Sequence, residues 1–162
     1  MERDFLQLIK DNQGIIHKVC NIYCDEQEDR NDLFQEIVAQ LWKSYPSFRR
    51  ESKVTTWMYR VALNTAITSF KKLKRRPDQN RMTYENFQIK DENYDQETEE
   101  NMQLLHRAVA QLTGVEKSII ILYLEDKKYE EIAEITGITQ NYVRVKMNRI
   151  KKKLKKIMET GE

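Results

Sequence analysis

The chain has 162 residues, enough for one medium domain or two small ones, with 40% apolar and 33% charged residues. A net charge of +2 conceals segregation: Lys71 to Arg76 holds five basic residues in six, Arg144 to Lys156 holds eight with no acid, and Asp91 to Glu100 holds six acids in ten. That pattern points to nucleic acid more than the net charge does, and four Gly with two Pro suit an all-helical chain. No apolar run approaches the ~20 residues of a membrane span. Met1-Glu2-Arg3-Asp4 lacks a signal-peptide layout, so a soluble cytoplasmic protein is expected.

Apolar residues at helical spacing run from Phe5 to Tyr23, with a break near Asn12-Gln13-Gly14. His17, Cys20 and Cys24 share a face of this helix and are zinc-type ligands. A fourth ligand is not evident, and beside Val19, Ile22 and Tyr23 the cysteines read as small hydrophobes. No metal is expected.

Asp29 or Asn31 can cap a second helix, with Leu33, Phe34, Ile37, Val38, Leu41 and Trp42 on its apolar side, ended by Pro46. Its other face carries Asp32, Gln35, Glu36 and Gln40, which on spacing alone reads as ordinary solvation. After a polar connector, Thr55 or Thr56 opens a third helix to about Leu73, with Met58, Val61, Ala62, Ala66, Ile67 and Phe70 inward. Arg60 and Asn64 sit one turn apart, with Lys71 and Lys72 two turns on, near the same side. Arg and Lys suit phosphates. Asn64 either reads a base edge or is a neutral surface residue.

Pro77 closes a first domain, 1–76. Residues 77–98, rich in Asn, Gln, Asp and Glu without helical period, read as a flexible acidic linker. A second domain, 99–162, begins with Leu104, Leu105, Ala108, Val109 and Leu112 on one face. Thr113-Gly114 interrupts that helix, and Ile119 to Leu124 is a buried one.

Tyr129 to Thr136 is a short helix with acids in its first turn, where the dipole favours them. Gly137 can take the left-handed conformation that ends it, and Thr139 can cap the next helix. That last helix places Val143, Met147, Ile150, Leu154 and Ile157 on one stripe. The opposite side holds Asn141, Val145, Asn148, Arg149 and Lys152, flanked by Arg144 and Lys146. A helix-turn-helix whose second helix is apolar on one side and cationic elsewhere fits a DNA groove.

Three blocks together resemble the extracytoplasmic-function sigma factors of the sigma-70 superfamily, small promoter-specificity subunits of bacterial RNA polymerase. The first is Asp32-Leu33-Phe34-Gln35-Glu36-Ile37 with Leu41-Trp42. The second is Phe48, Ser52 and Thr56-Trp57-Met58-Tyr59-Arg60-Val61-Ala62-Leu63-Asn64. The third is Glu131-Ile132-Ala133, Gly137, Val143-Arg144, Arg149 and Leu154. Only the linker is unmatched.

The resemblance implies an all-α fold of two small helical domains, a sigma-two-like domain and a sigma-four-like helix-turn-helix domain. It implies that Asp32, Gln35 and Glu36 dock on the clamp helices of the largest polymerase subunit, and that the second domain docks on the flap. It implies contacts of Arg60, Asn64, Lys71 and Lys72 with the minus-ten element, Asn64 in a pocket for a flipped base. Arg144, Val145, Lys146, Asn148, Arg149 and Lys152 would meet the minus-thirty-five element. The Lys-rich tail from Lys151 to Lys156 would touch phosphates, which positions without reading sequence. An anti-sigma factor is a further expected partner. No cofactor or small-molecule substrate is expected, and the free protein should be a monomer.

The chain departs from primary sigma factors at Met58 and Val54, where those carry a second Trp and a stacking Tyr. Stacking contributes ~1–3 kcal/mol per base, so this chain should melt DNA less readily and rely on a good promoter match. Trp57 either stacks at the bubble edge or fills the core beside Phe34 and Trp42. Thr113-Gly114 stands where the family usually has Leu-Pro. The rival reading, a stand-alone helix-turn-helix regulator, leaves the first two blocks unexplained, and a helical adaptor leaves two basic faces unexplained. His17 and His106 lack a nucleophile constellation and no phosphate-cradling Gly loop is present, so no catalysis is expected.

Overall fold

Residues 2–48, 50–74 and 96–160 are described by a computed structural model, and no strand occurs among them. The first domain comprises α1 (Glu2–Tyr23), α2 (Gln27–Ser44), a single 3-10 turn (Tyr45–Ser47) and α3 (Val54–Lys74). The second comprises α4 (Gln96–Ala110), α5 (Gly114–Leu124), α6 (Tyr129–Thr136) and α7 (Gln140–Thr160). The linker expected over 77–98 falls outside the described residues except at its end, where α4 is already helical from Gln96. No helix among the described residues is long and apolar enough to cross a membrane.

The expected break in α1 is at Asn12, with φ −124° and ψ 16°. Its side-chain amide donates to the Leu8 carbonyl at 2.9 Å, a local bond that competes with the helical ladder. Helix α2 starts earlier than expected, at Gln27, and neither Asp29 nor Asn31 caps it; Glu26 precedes it in an extended conformation. What fixes that start is Arg30. Its guanidinium reaches back to the carbonyls of Cys24 (3.1 Å) and Asp25 (2.8 Å) just beyond α1.

Ile16, Val19, Leu33, Ile37, Leu41, Met58, Ala62 and Ala66 fill the space between α1, α2 and α3. Each large aliphatic chain buried there contributes roughly 1.5–3 kcal/mol against exposure. Cys20 and Cys24 are buried free thiols, pushed up to about 12 mainly by burial, as suits small hydrophobes. Trp57 is buried, but not beside Phe34 and Trp42. It stacks on Phe48 (4.7 Å) and meets Tyr45 (6.3 Å), while Trp42 pairs with Phe5 (4.9 Å) and Phe34 with His17 (4.8 Å).

In the second domain, Leu112, Ile119, Leu122, Ile132, Val143, Met147 and Ile150 form the core. Thr113 is the N-cap of α5 in a reciprocal box with Glu116: the Glu116 amide donates to Thr113 Oγ1 (3.2 Å) and the Thr113 amide to Glu116 Oε1 (2.9 Å). Lys153 Nζ, 3.1 Å from the same carboxylate, ties α7 to α5. Burial alone would raise the Glu116 pKa, but the Thr113 amide and Lys153 outweigh it and hold the carboxyl below its usual range.

The two domains, expected from the sequence to be joined by a flexible linker, pack against each other. Tyr23 Oη donates to the Gly114 carbonyl (2.6 Å), and Lys117 Nζ donates to the Ile22 carbonyl (3.2 Å) while lying 4.4 Å over the Phe70 ring. Lys18 pairs with Glu125 at 2.8 Å, and Arg60 donates to the Glu134 carbonyl at 2.9 Å. The seam was hidden because Tyr23, Ile67 and Phe70 fit the apolar pattern of their own helices equally well.

Buried His106 on α4 is held neutral. Burial first, then the charges of Lys117 and Arg30, lower its pKa to about 4. The unfolded chain takes up this proton below about pH 6.5, whereas the folded protein resists until about pH 4. Stability should therefore fall as pH drops through that window, by about 2–3 kcal/mol at pH 4.5 from this group alone. Urea unfolding at pH 7.5 and 4.5 should show this loss in the wild type and a loss smaller by that amount in His106→Gln.

Candidate nucleic-acid interface

Gly137 has φ +79°, the left-handed conformation that closes α6, and its amide donates to the Ala133 carbonyl at 2.9 Å. Two residues later Thr139 Oγ1 accepts from the Tyr142 amide at 3.1 Å and starts α7. This turn swings α7 so that Val143, Met147 and Ile150 are fully buried, with Leu154 and Ile157 partly so.

The opposite face is open. Arg144, Val145, Asn148, Arg149 and Lys152 are exposed together, and half-buried Lys146 lies 5.6 Å over the ring of Tyr142. Tyr142, also exposed, escaped the sequence reading; an aromatic one turn before a lysine, next to the buried stripe, was the available signal. Donor-rich side chains at a helix N-terminus whose own amides point outward form a cationic surface suited to DNA. The tail lysines divide. Lys151 lies 4.9 Å over Tyr123 and Lys153 is bound to Glu116, whereas Lys152, Lys155 and Lys156 project into solvent.

Arg60, Asn64, Ile67 and Lys71 follow one helical stripe of α3. Asn64 and Lys71 are exposed, while Arg60 is half-buried against α6. Lys72 parts from them. It lines a shallow cleft with Asp29, Asp32, Glu36 and Ser69, on the side of α3 that faces α2. Met58 is fully buried, so the position expected to carry weaker stacking is a core position here.

On α2, Asp32, Gln35 and Glu36 are exposed above buried Leu33 and Ile37. Glu36 accepts a hydrogen bond from Ser69 Oγ at 3.0 Å. The geometry therefore gives an acidic-amide face on α2, a mixed stripe on α3 and a cationic helix at α7.

Family models match in two places: Sigma-70 region 2 over residues 8–76, and Sigma-70, region 4 over residues 102–154. The RNA polymerase sigma factor SigV of Bacillus subtilis is 32% identical over 155 residues, covering 95% of this chain and 90% of that one. The ECF RNA polymerase sigma-E factor of Haemophilus influenzae is 32% identical over 134 residues, 76% of this chain and 71% of that one. The chain belongs to the extracytoplasmic-function sigma factors of the sigma-70 family. These are promoter-specificity subunits that direct bacterial RNA polymerase, and the regulator reading is not favoured. The fold is also similar to that of the sigma factor RpoE of Bartonella quintana, solved with the anti-sigma factor NepR. That likeness has a TM-score of 0.65 and 15% identity, over 99% of this chain and 98% of that one.

In this sigma factor the entry to α7 rests on one hydroxyl. Removing it in Thr139→Ala should cost roughly 0.5–2 kcal/mol. Urea unfolding monitored by helicity should detect the loss, whereas Thr160→Ala at the far end of α7 should leave stability nearly unchanged.

Proposed function

We propose that this sigma factor works by binding alone, with three surfaces of separate roles. Residues 1–76 take core polymerase and the minus-ten element, and residues 99–162 take the minus-thirty-five element. The observation that carries the reading is α7: a capped helix, buried along one stripe, that exposes Arg144, Asn148, Arg149 and Lys152 together. Arg is suited to bidentate contact with guanine, and Asn148 offers a donor and an acceptor. Val145 lies between them for apolar contact, and Lys146 approaches a phosphate. Lys155 and Lys156, clear of the domain's own ion pairs, lie where phosphates would pass.

Asp32, Gln35 and Glu36 are the contacts with the clamp helices of core. Their exposure beside a buried core, with a Ser69 hydrogen bond on Glu36, leaves carboxylates facing outward for a basic partner. Arg60, Asn64 and Lys71 address the melted minus-ten strand. Lys72, set among carboxylates, adjusts the charge of the α2 face and touches the strand only at its border. Two of the sigma-70 family's partners, the polymerase flap and an anti-sigma factor, complete the set. The sigma factor acts in the cytoplasm, where promoter DNA is.

The class test is run-off transcription with bacterial core polymerase on a random promoter library: a shared pair of elements should emerge among the transcribed templates. Activity without any enriched element would contradict promoter reading. Glu36→Lys should weaken core binding at least about tenfold, or 1.4 kcal/mol, while unfolding free energy changes by less than about 0.5 kcal/mol, as for an exposed residue. Unfolding of the variant would instead assign Glu36 a structural role.

Reading and positioning contacts should separate by salt and sequence. In reconstituted holoenzyme, Arg149→Ala should cost ~1–3 kcal/mol at one minus-thirty-five base pair and relax discrimination there. Asn64→Ala should do the same at one unpaired minus-ten base. Lys155→Ala should weaken all promoters alike and flatten the log-affinity against log-salt slope by about one unit. Promoter affinities across single-base variants at several salt concentrations check all three.

A further inference from the structure

We propose that Tyr142 is a specificity-determining residue that reads a thymine of the minus-thirty-five element through the base's C5-methyl group. This role rests on the reading of α7 as the helix that enters the major groove. It assigns a base contact to a side chain outside the set Arg144, Val145, Lys146, Asn148, Arg149 and Lys152.

Tyr142 is the third residue of α7, and the N-terminal residues of a recognition helix are those that meet base edges. Its amide donates to Thr139 Oγ1 at 3.1 Å, so the cap that starts the helix also fixes the backbone from which the ring projects. At about 100° per residue, Tyr142 lies about 20° from Arg149 and about 60° from Val145 around the helix. The ring therefore stands on the open face, away from the fully buried Val143, Met147 and Ile150.

The chemistry of that face is what singles the ring out. Tyr142 is 43% exposed and Val145 36%, and they are the only exposed apolar side chains among the described residues of α7. A lone exposed apolar residue is ordinary. Two neighbours set among Arg144, Arg149 and Lys152 form an apolar strip inside a cationic face. Phosphates offer nothing to such a strip. Within the major groove the apolar group on a base pair is the thymine methyl, and it distinguishes A·T from the other pairs.

Lys146 is the positioning partner. Its ammonium lies 5.6 Å from the centre of the Tyr142 ring, within the range of a cation–π contact, and restricts how the ring turns. One ring face is thus given to the cation, while the edge and the side toward Val145 stay open for a methyl. Arg149, next to Tyr142 on the same face, is left to read a neighbouring guanine.

The test uses reconstituted holoenzyme and a promoter enriched by run-off selection. Each thymine of the minus-thirty-five element, on either strand, is replaced singly by deoxyuridine, which keeps the pairing and removes only the methyl. Wild type should lose about fourfold in affinity at one position, the effect of burying one methyl-sized group. Tyr142→Ala should bind the unmodified promoter about fourfold more weakly and no longer respond to deoxyuridine there. Tyr142→Phe keeps the ring and should retain the methyl response. Tyr142→Gln is a second truncating variant, and circular dichroism confirms native helicity in each. Loss of helicity in both truncations assigns Tyr142 to the fold and overturns its reading role. An element without thymine, a wild type indifferent to every methyl, or a Tyr142→Ala protein that still senses it overturns that role alone. So does a Tyr142→Ala protein weakened equally on all sequences, which would make the tyrosine a phosphate contact. A selection that enriches no element refutes the promoter reading itself, and the role of Tyr142 falls with it.

Discussion

The end of α1 is the constraint around which the molecule is arranged. A helix terminus leaves carbonyls without intrahelical partners, and burying them unsatisfied costs on the order of 1–3 kcal/mol each. Here Ile22, Tyr23 and Cys24 are all buried. Two cations from different elements meet the terminus: Arg30 of α2 binds the carbonyls of Cys24 and Asp25, and Lys117 of α5 binds that of Ile22. Both complement the negative pole of the helix. The first contact sets the α1–α2 turn, and with it the outward face of Asp32, Gln35 and Glu36. The second brings α5 against α3 and thereby decides what Arg60 can touch. Burial first, and then these two charges, keep the His106 imidazole neutral, so the same cations connect helix capping, domain packing and pH response.

The same solution recurs where α6 ends. Gly137 turns the chain, and Arg60 from the other domain supplies a donor to Glu134. An arginine suited to phosphate serves equally for a helix C-terminus, since both present oxygens carrying negative charge. This shared chemistry is compatible with the DNA contact proposed for Arg60. Around α7 the charges are sorted by neighbour instead. Glu116 removes Lys153 from the exposed cationic side, Tyr123 holds Lys151, and Lys152, Lys155 and Lys156 lie exposed along the remaining face.

Periodicity alone revealed most of the helices because their apolar stripes are one-sided. Val143, Met147 and Ile150, or Leu33, Ile37 and Leu41, have no reading other than an inner face. Gly137 and Thr139 were legible because their conformational roles are local. The start of α2 was not, since its determinant is a long-range reach by Arg30 and not a cap of its own. Lys72 illustrates a second limit: twelve residues beyond Arg60 it has rotated by about a third of a turn, enough to carry it to the α2 side of α3. The domain seam was illegible for a third reason. Gly114 looked like a helix interruption and Lys117 carried no signal of its own, because their partners lie more than 40 residues away in sequence, at Phe70 and Ile22. Of the candidate surfaces, the resemblance supplied the roles and the spacing supplied the faces. Tyr142 belonged to neither source.

The seam between the domains combines polar and apolar contacts. An interface made mainly of large aliphatic groups would lose about 25 cal/mol for every Å² exposed on opening. Beside the apolar cluster that runs through both domains, this one carries a phenol, an ammonium, a guanidinium and an exposed Lys18–Glu125 pair. The net worth of such bonds is modest, about 0.5–1.5 kcal/mol when neutral and 1.5–3 when charged. Their directionality still fixes one register, because Tyr23 and Lys117 each have a single carbonyl to meet. Phe70 and Ile67 against Gly114 add close packing over a small area. The buried apolar side chains of the two domains form one continuous cluster.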